Sequence, residues 1–393
     1  MTRFACSGAF APPRPALRGS TPVRRRGASR AARRAARRAL AASASADDDA
    51  PEPSTPPDIE TPTTPVPSQK ARRASIGFVG AGAMAEAIAR GFVAGGAARF
   101  SDLAVSHGGD PTTAARWRAL DVDVLSSNAE ILDRCDVVFL AVKPHILPGV
   151  LSECGARVDV DRHLFVSVAA GVSSGFIEDA LRKSAKNAGG IAPGRPGPGA
   201  APGGESKVFS QKVSQTRSSN ETEQDKNVPR VVRVMPNTPC VVGEAASAAC
   251  AGSAASEEDV RFVMRLMQST GLCARVANES LMDAVTGVSG SGPAYAFVFV
   301  EAMADGGVAA GLPRAQATQL AAQTLLGAAK MVLETGEHPG ALKDKVCSPG
   351  GATIEAVRAL ERSGFRSGAM EAVLASAEKS RRLGAESEKT TGK

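Results

Sequence analysis

Regular hydrophobic patterning begins near Ala74. A short apolar run from Ile76 to Val79 leads into a glycine-rich turn, and Met84 to Phe92 then carries apolar residues at helical spacing. Further short strands are predicted at Leu103 to Ser106, Val122 to Leu125, Val137 to Val142 and Leu164 to Val168, separated by segments of helix length. The run VVFLAV at 137–142 has no polar member, as a strand covered on both faces should. Such alternation predicts an α/β domain built on a parallel sheet with helices on both faces. Residues 185–229 interrupt it with GGIAPGRPGPGAAPGGESK and a stretch rich in Ser, Gln and Lys, which reads as a disordered insertion. A long flexible loop closes at modest entropic cost, so VVRVM at 231–235 can rejoin the same sheet. From Glu279 onward, segments rich in Ala, Leu and Met at helical spacing predict an all-α domain to residue 383, with 384–393 as a disordered tail.

Charge changes the picture at the front of the chain. Residues 1–46 hold eleven Arg and no Lys, Asp or Glu, so removing them from the formal net charge of +7 leaves −4 for the remainder. An acid-free, Arg- and Ala-rich leader reads as an organelle transit peptide, for the chloroplast stroma or alternatively the mitochondrion, and 47–73 as a disordered spacer rich in Pro and acids. The body is mildly acidic, and the chain has one Trp and one Tyr, which argues against a nucleic-acid partner. Seven scattered Cys without a CxxC pair fit a reducing compartment and no metal site. No apolar stretch is long enough to span a membrane.

IGFVGAGAMAEAIARGF at 76–92 sets Gly80, Gly82 and Ala85 in the G-x-G-x-x-A spacing between a strand and a helix. There the first Gly permits the tight turn, the second admits a pyrophosphate to the backbone N–H groups, and the small third residue lets helix and strand pack closely. The domain at 74–278 is thus predicted to be a Rossmann-like dinucleotide-binding domain. The second strand ends at Ser106-His107 without a carboxylate, Asp102 lying at its other end and Asp110 beyond the turn. A neutral or basic tip suits a 2′-phosphate, with Ser106, His107 and Arg116 as donors, which favours NADPH over NADH. Lys143-Pro144 follows an apolar strand at the end where ligands bind in such sheets, and VSVAAGVS at 167–174 ends the next strand with small residues. Ser348-Pro349-Gly350-Gly351-Ala352-Thr353 opens a helix, offering N–H groups and two hydroxyls to one carboxylate, or else forming a simple N-capped turn.

That loop, together with RVMPNTPCVVGEAAS at 233–247, GVSGSGPAYAFVFVEAMADGGVAAGLPR at 287–314 and HPGALKDKVCSPGGAT at 338–353, resembles the pyrroline-5-carboxylate reductases, plant or algal type, over residues 74–383. The resemblance implies reduction of Δ1-pyrroline-5-carboxylate to L-proline and a helical domain that interlocks in a homodimer, with dimers assembling further into a decamer. By position it implies an NADPH site lined by Val79, Gly80, Ala81, Gly82, Ala83, Met84, Ser106, Asn128, Ala141, Val142, Lys143, Pro144, Val168, Ala169, Ala170 and Lys345, to which the reading of the strand tip adds His107. Around the substrate it implies Glu279, Val346, Ser348, Gly351, Ala352 and Thr353, with Thr353 and Ser348 as catalytic residues. Ala83 stands where many relatives have Asn or Gln, and Lys345 where some have Asn. Two rival readings are an NADP-dependent dehydrogenase of the hydroxyacid type, which would need a Gly-Gly pair before Lys330, and a non-catalytic NADP-binding regulator.

Overall fold

The computed structural model of the chain describes residues 75–187 and 228–390. The expected transit peptide, the spacer and most of the expected insertion lie outside the described residues. In chain order the first layer comprises β1 (Ile76–Val79), α1 (Ala83–Ala94), β2 (Leu103–Ser106), α2 (Pro111–Arg118), β3 (Asp123–Leu125), α3 (Asn128–Arg134), β4 (Val137–Leu140), α4 (Leu147–Cys154), β5 (Leu164–Ser167), α5 (Ser174–Asn187) and β6 (Arg230–Met235). Then come β7 (Ala245–Ala251), α6 (Glu257–Gln268) and β8 (Gly271–Arg275).

One eight-stranded sheet results, in the order β3-β2-β1-β4-β5-β6-β7-β8. β6 pairs in parallel with β5, so the chain does return to the sheet after the interruption, Phe165 facing Val231 in register. The strands expected from the sequence, β1 to β6, all pair in parallel, and β7, which was not expected, runs antiparallel to β6. Residues 236–244 are too short for a crossover helix, so the strand must turn back on its neighbour, whereas α6 carries the chain over to a parallel β8.

Each face of the sheet has its own core. On one side Phe78, Phe92, Phe139 and Trp117 are fully buried, with the Phe78 and Phe139 rings stacked at 5.1 Å and Phe78 tilted on Trp117 at 6.1 Å. On the other, Leu132, Leu140, Leu151, Phe165 and Leu181 fill the space under α3 to α5. Asp110 and Ser127 cap α2 and α3, and Ser256 forms a capping box with Asp259 on α6, so these short helices begin where the sequence supplies an oxygen acceptor.

After a one-turn helix (Met282–Val285) and a π-helical turn (Thr286–Gly290), the chain is helical: α7 (Gly292–Ala309), α8 (Arg314–Thr335), α9 (Pro339–Val346), α10 (Ala352–Arg362) and α11 (Phe365–Thr390). The π turn is pinned to the sheet by Asn237, whose Nδ2 donates to the Ser289 carbonyl at 3.0 Å while its Oδ1 accepts from Ala246 N at 3.0 Å. α11 overruns the expected start of a tail at 384. No Pro stops it, and its later turns have a surface to pack on: Ser380 Oγ donates to Asp283 at 2.6 Å, and Gly384 lies against the turn at Gly171.

Candidate active site

The strand order reverses between β1 and β4, leaving a crevice at their carboxyl ends. Val79, Ser106, the 141–144 segment and the 168–170 segment all lie at that edge, on the neighbouring strands β1, β2, β4 and β5. Gly80 has φ +104°, and a Cβ there would stand 2.9 Å from the Ala141 carbonyl and 2.7 Å from Val142 Cγ1. Only glycine fits the turn. Gly82 caps α1 in an extended conformation with no side-chain hydrogen bond, and a Cβ on it would meet nothing within 4 Å. The first N–H groups of α1, at Ala83 and Met84, therefore face the crevice mouth without an intrahelical acceptor, as a dinucleotide pyrophosphate requires. These residues fit the cofactor.

At the tip of β2, Ser106 is buried, and its hydroxyl donates to Asn128 Oδ1 at 2.6 Å while Asn128 Nδ2 donates to Glu153 at 2.7 Å. His107 turns inward on its own loop, its Nδ1 accepting from Gly109 N at 3.1 Å. Neither nearby acid can grip a ribose. Asp110 is engaged by the Thr113 hydroxyl and by the N–H groups of Thr113 and Thr112, which hold its carboxyl below the usual range, and Asp102 is paired with Arg99 at 2.7 Å. Arg116 lies beside this tip, anchored to Glu86 at 2.7 Å. Lys143 is exposed ahead of the Pro144–Ile146 turn, and Val168 N donates to the Leu140 carbonyl at 3.2 Å, setting Ala169 and Ala170 beyond the strand end.

The second half-site is the α9–α10 loop. Gly350 has φ +65°, Gly351 N donates to the Ser348 carbonyl at 3.0 Å, and a Cβ on Gly351 would stand 2.3 Å from Ser348 Oγ. The Ser348 hydroxyl thus lies over the amino end of α10, where Gly351 provides no side-chain cap and Ala352 and Thr353 begin the helix. The Ser348 hydroxyl and the first N–H groups of α10 can serve there as an anion cradle. Lys345 Nζ pairs with Glu337 at 2.5 Å, and Val346 is exposed. Glu337, which sequence reasoning missed, sits just ahead of the His338 cap of α9. Its position just before HPGALKDKV gave no spacing signal.

The structure does not bring the two halves together within one chain. Among the described residues, no hydrogen bond or ion pair ties 338–353 to the sheet. Glu279, expected beside the substrate, accepts from Ser174 N at 2.7 Å and Ser174 Oγ at 2.6 Å and pairs with buried Arg233 at 3.1 Å. Its carboxylate joins the helical segment to β6 and α5, because the chain enters the helices directly over the end of the sheet. Next to it Glu178 accepts two bonds from Ser253, at 2.7 and 2.6 Å, while burial pushes its pKa up.

Residues 279–383 match the family model described as pyrroline-5-carboxylate reductase dimerisation. Residues 75–171 match that of NADP oxidoreductase, coenzyme F420-dependent. Pyrroline-5-carboxylate reductase 2 of Bos taurus is 44% identical over 310 residues, covering 79% of this chain and 83% of that protein. The chain belongs to the pyrroline-5-carboxylate reductase family. The Arabidopsis thaliana pyrroline-5-carboxylate reductase is 39% identical over 319 residues, covering 81% of this chain and 98% of its own. Among solved structures, the Plasmodium falciparum pyrroline carboxylate reductase with NADP bound is similar with a TM-score of 0.61 at 28% identity, over 79% of this chain and 98% of that one. The reductase from Coxiella burnetii gives 0.62 at 27%, with the same coverage.

Proposed function

We propose that this reductase family member converts Δ1-pyrroline-5-carboxylate to L-proline with NADPH, and with NADH less readily. The carrying observation is that one chain holds both a dinucleotide crevice with no free carboxylate at its β2 tip and a separate carboxylate cradle. When bound, the cofactor supplies a hydride from its nicotinamide ring. The chain's own residues bind and orient. The amino ends of α1 and α10 take the pyrophosphate and the substrate carboxylate, each through orphan N–H groups. Thr353, one residue into α10, offers its hydroxyl to the ring nitrogen, and Ser348 to the carboxylate. A protonated imine needs no strong acid, so positioning supplies most of the rate.

Because the halves lie apart in one chain, we infer that the cradle of a second copy closes over each crevice. The helices carry the apolar surface that such pairing requires: Phe297 is 66% exposed, Val298 67% and Leu333 75%. The test is NADPH oxidation by the full chain with pyrroline-5-carboxylate, compared with Thr353→Ala. Substrate-dependent oxidation that falls in the variant supports reaction and site together, and NADPH binding without turnover overturns the reductase reading.

The plant or algal subtype and a plastid destination are also proposals, supported by the eleven Arg and the absence of acids in residues 1–46. A fluorescent fusion of residues 1–70 that entered mitochondria would overturn the destination.

A further inference from the structure

Trp117 is the chain's single tryptophan, and the fold places it where its polar atom has a task. It is fully buried on α2, and its indole N–H donates to the carbonyl oxygen of Ala81 at 3.1 Å. Arg116, braced by Glu86 at 2.7 Å, reaches the same oxygen with Nη2 at 3.5 Å. Ala81 is the residue between the two glycines of the fingerprint.

The peptide joining Ala81 to Gly82 is planar and trans, so its C=O and N–H point to opposite sides. Fixing the carbonyl toward α2 fixes the Gly82 N–H away from α2, and the space around Gly82 is open, a Cβ there meeting nothing within 4 Å. Donors on the oxygen also polarise the amide and make its N–H a stronger donor. With glycines at 80 and 82, this peptide is otherwise easy to rotate.

We infer that Trp117 is a positioning residue for the cofactor, aiming the Gly82 N–H at the pyrophosphate through the Ala81–Gly82 peptide. This rests on the dinucleotide reading of the crevice. Packing alone would be a different role: Trp117 also tilts on Phe78 at 6.1 Å, and for that contact the ring shape matters and its N–H does not.

One tryptophan in the chain makes the distinction measurable. Growth of a tryptophan auxotroph on benzothienylalanine replaces this indole alone with a ring of the same shape that carries sulfur in place of N–H. The full chain with this substitution is expected to bind NADPH about fivefold more weakly, with KM for NADPH rising in step, as loss of one hydrogen bond implies. kcat at saturating NADPH and KM for the imine should move less than twofold, and Trp117→Phe should show the same split. An unchanged NADPH Kd in the folded analogue protein overturns the proposal, as does a parallel fall of kcat and both affinities. Failure of the unsubstituted protein to bind NADPH overturns instead the crevice reading beneath it.

Discussion

The sheet and the helices of this chain treat their apolar residues in opposite ways. Around the sheet, Phe78, Phe92, Phe139 and Trp117 are wholly enclosed, and both faces are covered by the chain's own helices. From α7 onward the buried apolar residues among those described are Ala304, Ala317 and Ala321, while Phe297, Leu320, Leu333, Met370 and Leu374 are more than half exposed. Each large side chain left in water forgoes about 1.5–3 kcal/mol of burial, so the helical part is half of a core and the sheet is a whole one. The chemistry follows the same division: cofactor residues sit on the complete core and the cradle on the incomplete one.

The largest test of this contrast is to spoil the helical surface while sparing the sheet. Phe297→Asp with Leu333→Asp should give monomers in sedimentation and lower turnover roughly a thousandfold, since buried charges at two anchor positions are not tolerated. NADPH affinity should stay within about threefold, because the crevice is remote from both changes. A monomer with full turnover would break the comparison. Thr353→Ala tests the cradle directly. Loss of a hydrogen bond to a charged group predicts a fall in kcat of about 10- to 100-fold with the NADPH Kd held, read by steady-state kinetics and fluorescence titration.

A smaller effect belongs to the sheet alone. His163 is buried, its Nε2 bonded to the Leu132 carbonyl at 2.8 Å and its Nδ1 accepting from Asp159 N at 3.0 Å. Burial, with Arg162 adding, pushes its pKa down to about 4 from 6.5. The unfolded chain binds that proton first, so stability present above pH 6.5 is lost as pH falls toward 4. Between pH 7 and pH 5 the loss is about 2 kcal/mol, measured by urea unfolding, and His163→Gln should flatten it. The smallest effect is expected at Lys345→Asn. Its pairing with Glu337 is exposed, so KM for NADPH should rise only about threefold.

Strands with strong apolar character were legible from sequence: VVRVM and the first four residues of VVFLAV lie in the sheet, as their composition required. β7 was not, because AASAACA has no β-branched residue and only its place beside β6 makes it a strand. The fingerprint was readable since Gly80 and Gly82 are spaced for one backbone shape, and the cradle since Gly350 and Gly351 announce another. The partners of Glu279 were not legible, because its position in the chain says nothing of Ser174 and Arg233, which meet it only in three dimensions. Trp117 was silent for the same reason: one aromatic in a short helix reads as core, and the Ala81 carbonyl it holds is distant in the chain.

The contact between Gly171 and Gly384 constrains how this sequence can drift. A Cβ on Gly384 would fall 1.9 Å from the Gly171 oxygen, and one on Gly171 would fall 2.6 Å from the Ser380 oxygen, where φ is also +76°. Neither glycine can be exchanged first without forcing α11 off the turn that follows Ala169 and Ala170. The pair is therefore an evolutionary ratchet, and descendants that lose it must have moved the helix before they changed the letter.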